Sequence, residues 1–237
     1  MKPIIVGNWK ANVNFDMYEN LPSDSTNIEV CMAIPYIYIP KAREISKKNI
    51  SIAAQDCSRF GIGPHTGEIP AEFLKNFDVK YVLIGHSERR AESLENFETL
   101  TSKINRALGA GLKVIYCIGE NSYERENDIH IKSLYDQFFM VVGQNIQIDI
   151  AYEPAYSIGS GILPKKDDVQ DVIDQIRKWS RNINVTGRIL YGGSIDVNNI
   201  ETFEDIKGLN GYLVGGSSLT PDFIDLVKKY DEMNFKH

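Results

Sequence analysis

Eight short apolar runs recur along the chain, and stretches with helical periodicity separate them. The runs predict strands at residues 4–6, 28–34, 50–54, 81–84, 114–118, 146–152, 188–191 and 212–214. Eight repeats in 237 residues leave roughly 30 residues for each, the size of a strand–helix–strand unit. Regular alternation predicts a parallel sheet. Because no low-complexity linker divides the chain, we expect an α/β protein whose residues 1–237 form a single eight-stranded parallel (β/α)8 barrel domain, rather than two Rossmann-like domains.

Three of the intervening segments carry clear helical signals. The strongest begins after Pro164 and ends near Arg181, with apolar residues on one helical face at Val169, Val172, Ile173, Ile176 and Trp179. A second helix is predicted through residues 100–108 and ends at the glycines that follow, and a third begins after Pro221. The first segment, around residues 15–21, has only a weak helical pattern.

Charge and cysteine content exclude several classes of protein. The chain has 26 Lys and Arg against 32 Asp and Glu, a net charge of −6, which argues against a nucleic-acid partner. Its three cysteines, Cys31, Cys57 and Cys117, are odd in number and lack a C-x-x-C pair, so they predict free thiols in a reducing compartment. No apolar run approaches the ~20 residues of a membrane span. We therefore expect a soluble cytoplasmic protein without a membrane partner.

Polar and glycine-rich motifs follow five of the predicted strands. They are Gly7-Asn8-Trp9-Lys10, Gly85-His86-Ser87-Glu88, Glu153-Pro154, Gly192-Gly193-Ser194 and Gly215-Gly216-Ser217-Ser218. The carboxyl ends of all barrel strands meet on one face, and that face is where such barrels carry out chemistry. Segments that are distant in sequence are therefore predicted to form one site.

These five motifs, taken in order along the chain, resemble the signature blocks of the triosephosphate isomerase family. The resemblance covers the whole chain and implies a TIM barrel that interconverts dihydroxyacetone phosphate and D-glyceraldehyde 3-phosphate, in glycolysis and gluconeogenesis, through an enediolate. It implies no cofactor and no metal. It also implies a homodimer and a small sugar-phosphate substrate.

Glu153 and His86 are the expected catalytic pair. The reaction needs a base to remove a C–H proton, and Pro154 favours an extended backbone at Glu153, consistent with a strand end that directs the carboxylate into the barrel mouth. His86 lies beside an expected helix start, which disfavours a cationic imidazole, and the family uses a neutral histidine as its electrophile. The alternatives are a solvated loop glutamate and a histidine satisfied in the core.

Charge and backbone donors are expected to hold the substrate. By resemblance, Lys10 attracts the dianion and stabilises the enediolate, and Asn8 helps to hold Lys10 and substrate. The residues that match the family's phosphate contacts are Gly159, Ser194, Gly215 and Gly216. Glycines permit close backbone approach, and a short helix opening at Ser217-Ser218 would direct N–H groups at the anion. Taken alone, Lys10 could be a surface lysine and the glycines ordinary turns.

Two loops resemble family features with departures. Residues 154–161 resemble the closing lid, with Tyr156 where tryptophan is usual and Ser160 where threonine is usual.

Residues 63–68 resemble the loop that enters a partner subunit. Thr66 would brace Asn8 and Lys10 there, while Pro64 and His65 are departures. Four further positions match the family: Glu68 and Arg89 as a pair, and Glu88 and Cys117 in supporting roles near the site.

Three other functions remain to be weighed. A Schiff-base aldolase could use Lys10, but no neighbouring group in the sequence is obviously placed to activate that amine. A metal-dependent epimerase or aldolase would need clustered His and Asp ligands at several strand ends, and only His86 and Glu153 qualify. A catalytically inactive phosphate-binding barrel is disfavoured because Lys10, His86 and Glu153 are all present.

Overall fold

The computed structural model describes residues 1–47, 49–157 and 163–236. Its parallel strands pair in sequence order and close into a barrel, since β1 also pairs with β8. The strands are β1 Ile4–Asn8, β2 Glu29–Ile34, β3 Ile50–Ala54, β4 Tyr81–Ile84, β5 Lys113–Ile118, β6 Asp149–Tyr152, β7 Ile189–Gly193 and β8 Gly211–Val214. The predicted α/β class and (β/α)8 barrel are confirmed.

Helices surround the barrel. In the described parts of the chain they are α1 Phe15–Glu19, α2 Ile39–Ile45, α3 Ala71–Asn76, α4 Ser87–Glu92, α5 Phe97–Gly109, α6 Ser122–Glu126, α7 His130–Phe139, α8 Lys166–Asn182 and α9 Asp222–Met233. Short 3-10 turns occupy Tyr36–Tyr38, Ala155–Ser157, Ile200–Phe203, Gly216–Leu219 and Asn234–Lys236. Among these described helices, none is both long and apolar enough to cross a bilayer.

Two parts of the alternating pattern differ from the prediction. The sixth strand begins at Asp149 rather than at residue 146, and Gln147 forms only an isolated bridge to Thr186. Between β7 and β8 the described chain has a 3-10 turn where an α-helix was expected. Asp196 Oδ1 accepts N–H bonds from Asn198 (2.8 Å) and Asn199 (3.1 Å) just before that turn, and such local side-chain bonds compete with helix formation.

Alternating strand side chains build two cores. In β1, Ile4 and Val6 belong to the cluster inside the barrel, whereas Ile5 belongs to the larger cluster between strands and helices. All three are fully buried, which explains why the strands are apolar on both faces. The strands are thus fixed from both sides, and their carboxyl ends provide a stable base for the loops above them.

A buried ionic network closes the amino-terminal end of the barrel. The Arg188 guanidinium donates to Asp149 Oδ2 at 2.5 Å, to the Tyr81 hydroxyl at 2.9 Å and to Glu29 Oε2 at 3.1 Å. Lys80 Nζ donates to the other Glu29 oxygen at 2.5 Å. Burial raises the pKa of Glu29, but the bonds from Lys80 and Tyr81 outweigh that effect and lower it to about 2.

Candidate active site

A pocket of about 380 Å³ opens at the carboxyl ends of the strands. Seven of the eight residues predicted for the site line it: Asn8, Lys10, His86, Glu153, Ser194, Gly215 and Gly216. The eighth, Gly159, lies outside the described residues, as does Ser160 of the expected lid. Barrel closure has brought the ends of β1, β4, β6, β7 and β8 to one cavity.

Glu153 follows β6 directly, and its side chain points towards His86. The Glu153 N–H continues the ladder by donating to the Ile118 carbonyl at 2.8 Å, which fixes the backbone at the strand end. The carboxylate Oε1 lies 3.5 Å from His86 Nε2, and the two residues are only 4% and 6% exposed. Burial, together with the nearby Glu153 charge, holds the pKa of the Cys117 thiol well above its ordinary value. Cys117 is therefore a neutral neighbour of the carboxylate.

His86 is itself the N-cap of α4. Its Nδ1 accepts the backbone N–H of Glu88 at 3.3 Å, so Nδ1 carries no proton in this arrangement. The proton of a neutral ring is then on Nε2, the nitrogen that faces Glu153. The sequence predicted a histidine beside a helix start. The cap geometry adds which of its two nitrogens can donate into the pocket.

Lys10 is held in a left-handed backbone conformation, with φ of 51°. Its N–H donates to Asn8 Oδ1 at 3.0 Å, and its carbonyl accepts from Gln55 Nε2 at 2.8 Å. Its Nζ forms an ion pair with Glu88 Oε1 at 2.6 Å. A non-glycine residue adopts this conformation only when its surroundings impose it, and these three contacts do so.

Gln55 is a site residue that sequence reasoning missed. Besides the Lys10 carbonyl, its Nε2 is 3.3 Å from Asn8 Oδ1 and 3.1 Å from the Ala33 carbonyl. Its position in the sequence could have indicated it, because Gln55 directly follows β3 in the same way that other site residues follow their strands. Gln55 belongs to none of the five motifs that follow strands β1, β4, β6, β7 and β8.

The ends of β7 and β8 form the side of the pocket that was expected to bind phosphate. The 3-10 turn at Gly216–Leu219 provides the short helix that was expected to open at Ser217, and begins one residue earlier. Ser218 Oγ donates to the Asn8 carbonyl at 3.2 Å, which joins this turn to β1. Ser194 Oγ donates to the Ser157 carbonyl at 3.0 Å, which joins the end of β7 to the base of the expected lid.

The expected pairing of Glu68 with Arg89 is not formed within the chain. The Arg89 guanidinium instead pairs with Asp56 Oδ2 at 2.8 Å and Glu95 Oε1 at 3.2 Å, and both carboxylates also bind the buried Lys103. Glu68 is exposed and has no ion pair within the described residues. Glu68 lines the same pocket as Arg89, but Asp56 and Glu95 already occupy the Arg89 guanidinium.

Comparisons with known proteins agree with this geometry. The sequence model of the family described as Triosephosphate isomerase matches residues 3–230. The cytosolic triosephosphate isomerase of Oryza sativa subsp. japonica is 34% identical over 243 residues, covering 95% of this chain and 96% of the relative. The triosephosphate isomerase of Taenia solium is 35% identical over 249 residues, covering 95% and 97%. The chain therefore belongs to the triosephosphate isomerase family, and it is an isomerase that interconverts an aldose and a ketose phosphate.

Proposed function

We propose that Glu153 is the base and neutral His86 the electrophile in the interconversion of dihydroxyacetone phosphate and D-glyceraldehyde 3-phosphate. The observation that carries the proposal is the 3.5 Å approach of Glu153 Oε1 to His86 Nε2 inside the pocket. A three-carbon substrate lying over both groups would present a C–H bond to the carboxylate and its oxygens to the imidazole. Both groups are buried, so few waters compete with the substrate for them.

The proposed reaction moves one proton between adjacent carbons. Glu153 removes a proton from the hydroxyl-bearing carbon, and that C–H electron pair forms the C=C bond of an enediolate. The carbonyl electrons move onto oxygen, where the Nε2–H of His86 and the Lys10 ammonium stabilise the charge. His86 Nε2 gives its proton to that oxygen and takes up the proton of the neighbouring hydroxyl. The protonated Glu153 then returns its proton to the former carbonyl carbon, and the C=C electrons form the new C–H bond while the C=O bond re-forms at the other oxygen. The reaction as proposed uses no cofactor or metal.

Substrate binding in this proposal depends on Lys10, Asn8 and the glycine-rich strand ends. Asn8 accepts the Lys10 N–H and so supports the conformation that directs Lys10 into the pocket. We assign phosphate binding to Gly159, Ser194, Gly215 and Gly216, although Gly159 is outside the described residues. The turn that begins at Gly216 supports this assignment, because the N–H groups of a helical turn's first residues attract anions.

The proposal extends to assembly and location. Residues 1–237 act as one domain, and two chains form a homodimer in which the loop at residues 63–68 enters the partner and Thr66 braces the partner's Asn8. Ile62 and Leu94, at 65% and 82% exposed, support this because both lie on loops at the carboxyl-terminal face and would be covered. A cytoplasmic location is in keeping with the cytosolic relative.

Replacement of Glu153 by aspartate tests the assignment of the base. Glu153→Asp keeps the charge but withdraws the carboxylate by about 1 Å, and such misplacement costs about 10²-fold in turnover. Turnover is measured in a coupled assay, and the affinity of a phosphate-bearing inhibitor is measured separately and should be retained. Glu98→Asp, an exposed change on α5, is the control and should be silent. Near-normal turnover of Glu153→Asp would show that Glu153 is not the base.

Borohydride trapping separates isomerase from aldolase chemistry. If Lys10 formed an imine with the substrate ketone, reduction would attach substrate covalently to the chain. We expect no adduct by mass spectrometry, because Lys10 takes part here only through charge.

A further inference from the structure

A second cavity, of about 250 Å³, lies at the opposite end of the barrel from the active site. It is formed between α8 and the segments that lead into β6, β7 and β8. Its lining includes three arginines, at positions 177, 181 and 188, with polar groups from Ser180 and Asn210 and apolar walls from Ile148, Ile150, Val185 and Ile189. No carboxylate is among the described residues that line it.

Carboxylates neutralise Arg188 but, among the described residues, do not neutralise Arg177 or Arg181. Arg188 pairs with Asp149 and Glu29 in the network described above. Neither of the other two arginines has a carboxylate within 4.0 Å in the described part of the chain. Within the described residues, half-buried Arg177 and exposed Arg181 are thus two cations without an acidic partner in one concavity, in a protein with a net charge of −6.

The Arg177 side chain occupies space that is open only because residue 208 is glycine. A Cβ added at Gly208, whose φ is 87°, would fall 1.8 Å from Arg177 Nη1. The Arg177 guanidinium therefore lies against the Gly208 backbone, yet none of its N–H groups has a hydrogen-bond acceptor among the described residues. Arg181 Nε donates to the Arg177 carbonyl at 3.3 Å. This bond keeps the Arg181 side chain next to Arg177 on α8.

The helix dipole explains only part of this arrangement. A cation in the last turn of a helix is favourable, and Arg181 occupies that turn of α8. Arg177 is one turn earlier, where the dipole gives little, and like charges four residues apart repel. Their common placement in a cavity whose described lining has no acidic group is better explained by a bound anion.

We propose that this cavity binds a small phosphate-type dianion, held by Arg177 and Arg181. Guanidinium groups bind phosphate oxygens through paired, charge-assisted hydrogen bonds. The volume is that of about eight water molecules, enough for a phosphate group with a short carbon chain. Free phosphate and a phosphate monoester share the chemistry that these arginines recognise, and the apolar wall could contact the carbon chain of an ester.

Amide NMR can follow the two anion sites separately in the full-length protein. Inorganic phosphate, and then glycerol 3-phosphate, is titrated at constant ionic strength. The Gly187 and Gly208 amides report on this cavity, and the Gly193 and Gly216 amides on the active site. We expect saturable shifts at both, with independent affinities. Equal affinity for the two ligands would indicate recognition of phosphate alone, and tighter binding of the ester would indicate contact with the apolar wall.

The variant Arg177→Gln/Arg181→Gln assigns the shifts to these side chains. Hydrogen bonds to charged groups are strong enough that their loss should weaken phosphate binding at this cavity by at least about tenfold. Active-site affinity and turnover should not change. Lys178→Gln is the control, since Lys178 is an exposed cation on α8 that does not line the cavity. If the double variant does not fold, each single variant is measured instead.

Three results would overturn the proposal. One is the absence of saturable shifts at Gly187 and Gly208. Another is unchanged affinity in the arginine variants. The third is equal weakening by Lys178→Gln, which would mean that general surface charge is responsible.

Discussion

Gly192 leaves the room in which the Glu153 side chain lies. A Cβ at this position would be 2.7 Å from Glu153 Cγ and 3.2 Å from Oε1. A contact of 2.7 Å is too short for carbon atoms, so the carboxylate would have to move. The position of the Glu153 side chain is therefore restricted by the end of β7 as well as by its own backbone.

Gly192→Ala should therefore lower turnover although Glu153 itself is not substituted. Displacement of the carboxylate by about 1 Å should reduce turnover by about 10²-fold. Inhibitor affinity, measured by titration, should fall much less. The matched control is Gly143→Ala, because a Cβ at Gly143 meets no atom within 4 Å. A similar small effect of both substitutions would show that Gly192 does not determine the position of the base.

The segment after β6 connects Glu153, the proposed base, with the expected lid. Ser157 Oγ donates to the Pro154 carbonyl at 2.9 Å, which stabilises the 3-10 turn at Ala155–Ser157. The Arg125 guanidinium lies 5.8 Å from the centre of the Tyr156 ring, a cation–π contact. The amino-terminal base of this loop is thus well packed, even with tyrosine at the position where tryptophan is usual.

Deletion of Ala155–Ser157 should change the products as well as the rate. The enediolate carries a phosphate on the adjacent carbon and can expel it to give methylglyoxal when it escapes into water. A loop that excludes water and holds the phosphate near the enediolate plane suppresses this loss. We expect more free phosphate per isomerisation in the deleted protein. Tyr156→Phe, which keeps the loop length, is the control; an unchanged ratio after the deletion would restrict the loop to a role in binding.

Assembly is expected to complete the site. Thr66→Glu places a charge on the loop proposed to enter the partner subunit, so it should give monomers with lower turnover because Asn8 and Lys10 lose their brace. Light scattering and the coupled assay measure the two effects together. Ser23→Glu, at another exposed position, on the connection before β2, should remain dimeric and active. Fully active monomers would contradict the proposed dimer contact.

The ionic network at the amino-terminal end of the barrel should make the free energy of unfolding depend on pH in the acid range. The pKa of Glu29 is lowered from 4.5 to about 2, so the folded protein binds this proton more weakly than the unfolded chain. The stabilisation is therefore complete above about pH 4.5 and is lost as the pH falls towards 2.

Urea unfolding of Glu29→Gln across this range provides the measurement. The variant should be less stable than the wild type near neutral pH, and the difference in unfolding free energy should shrink as the pH falls below about 4.5. Glu44→Gln, at an exposed position on α2, should show no such trend. A difference that does not vary with pH would mean that Glu29 acts through packing alone.

Local pattern was sufficient for the architecture and for most of the site. Burial on both faces produces continuous apolar runs, so each of the eight strands could be located from its own few residues. The side chains that follow those strands must share one rim once a barrel closes, which is why Lys10, His86 and Glu153 were predicted to meet. The order of the motifs was enough to identify the family.

Contacts between side chains far apart in sequence required the folded chain. The register in which the barrel closes determines that Gln55 lies next to Asn8 and that Gly192 lies next to Glu153. It also places the Arg89 guanidinium against Asp56. The missing α-helix before β8 depends on local polar bonds that compete with weak helical propensity. The environment of Arg177 could not be predicted from the sequence either, because its position on α8 is typical of a solvated cation. Only the packing of α8 against the strand ends shows that, among the described residues, the Arg177 charge has no acidic partner. Periodicity encodes burial but not which groups meet across the barrel.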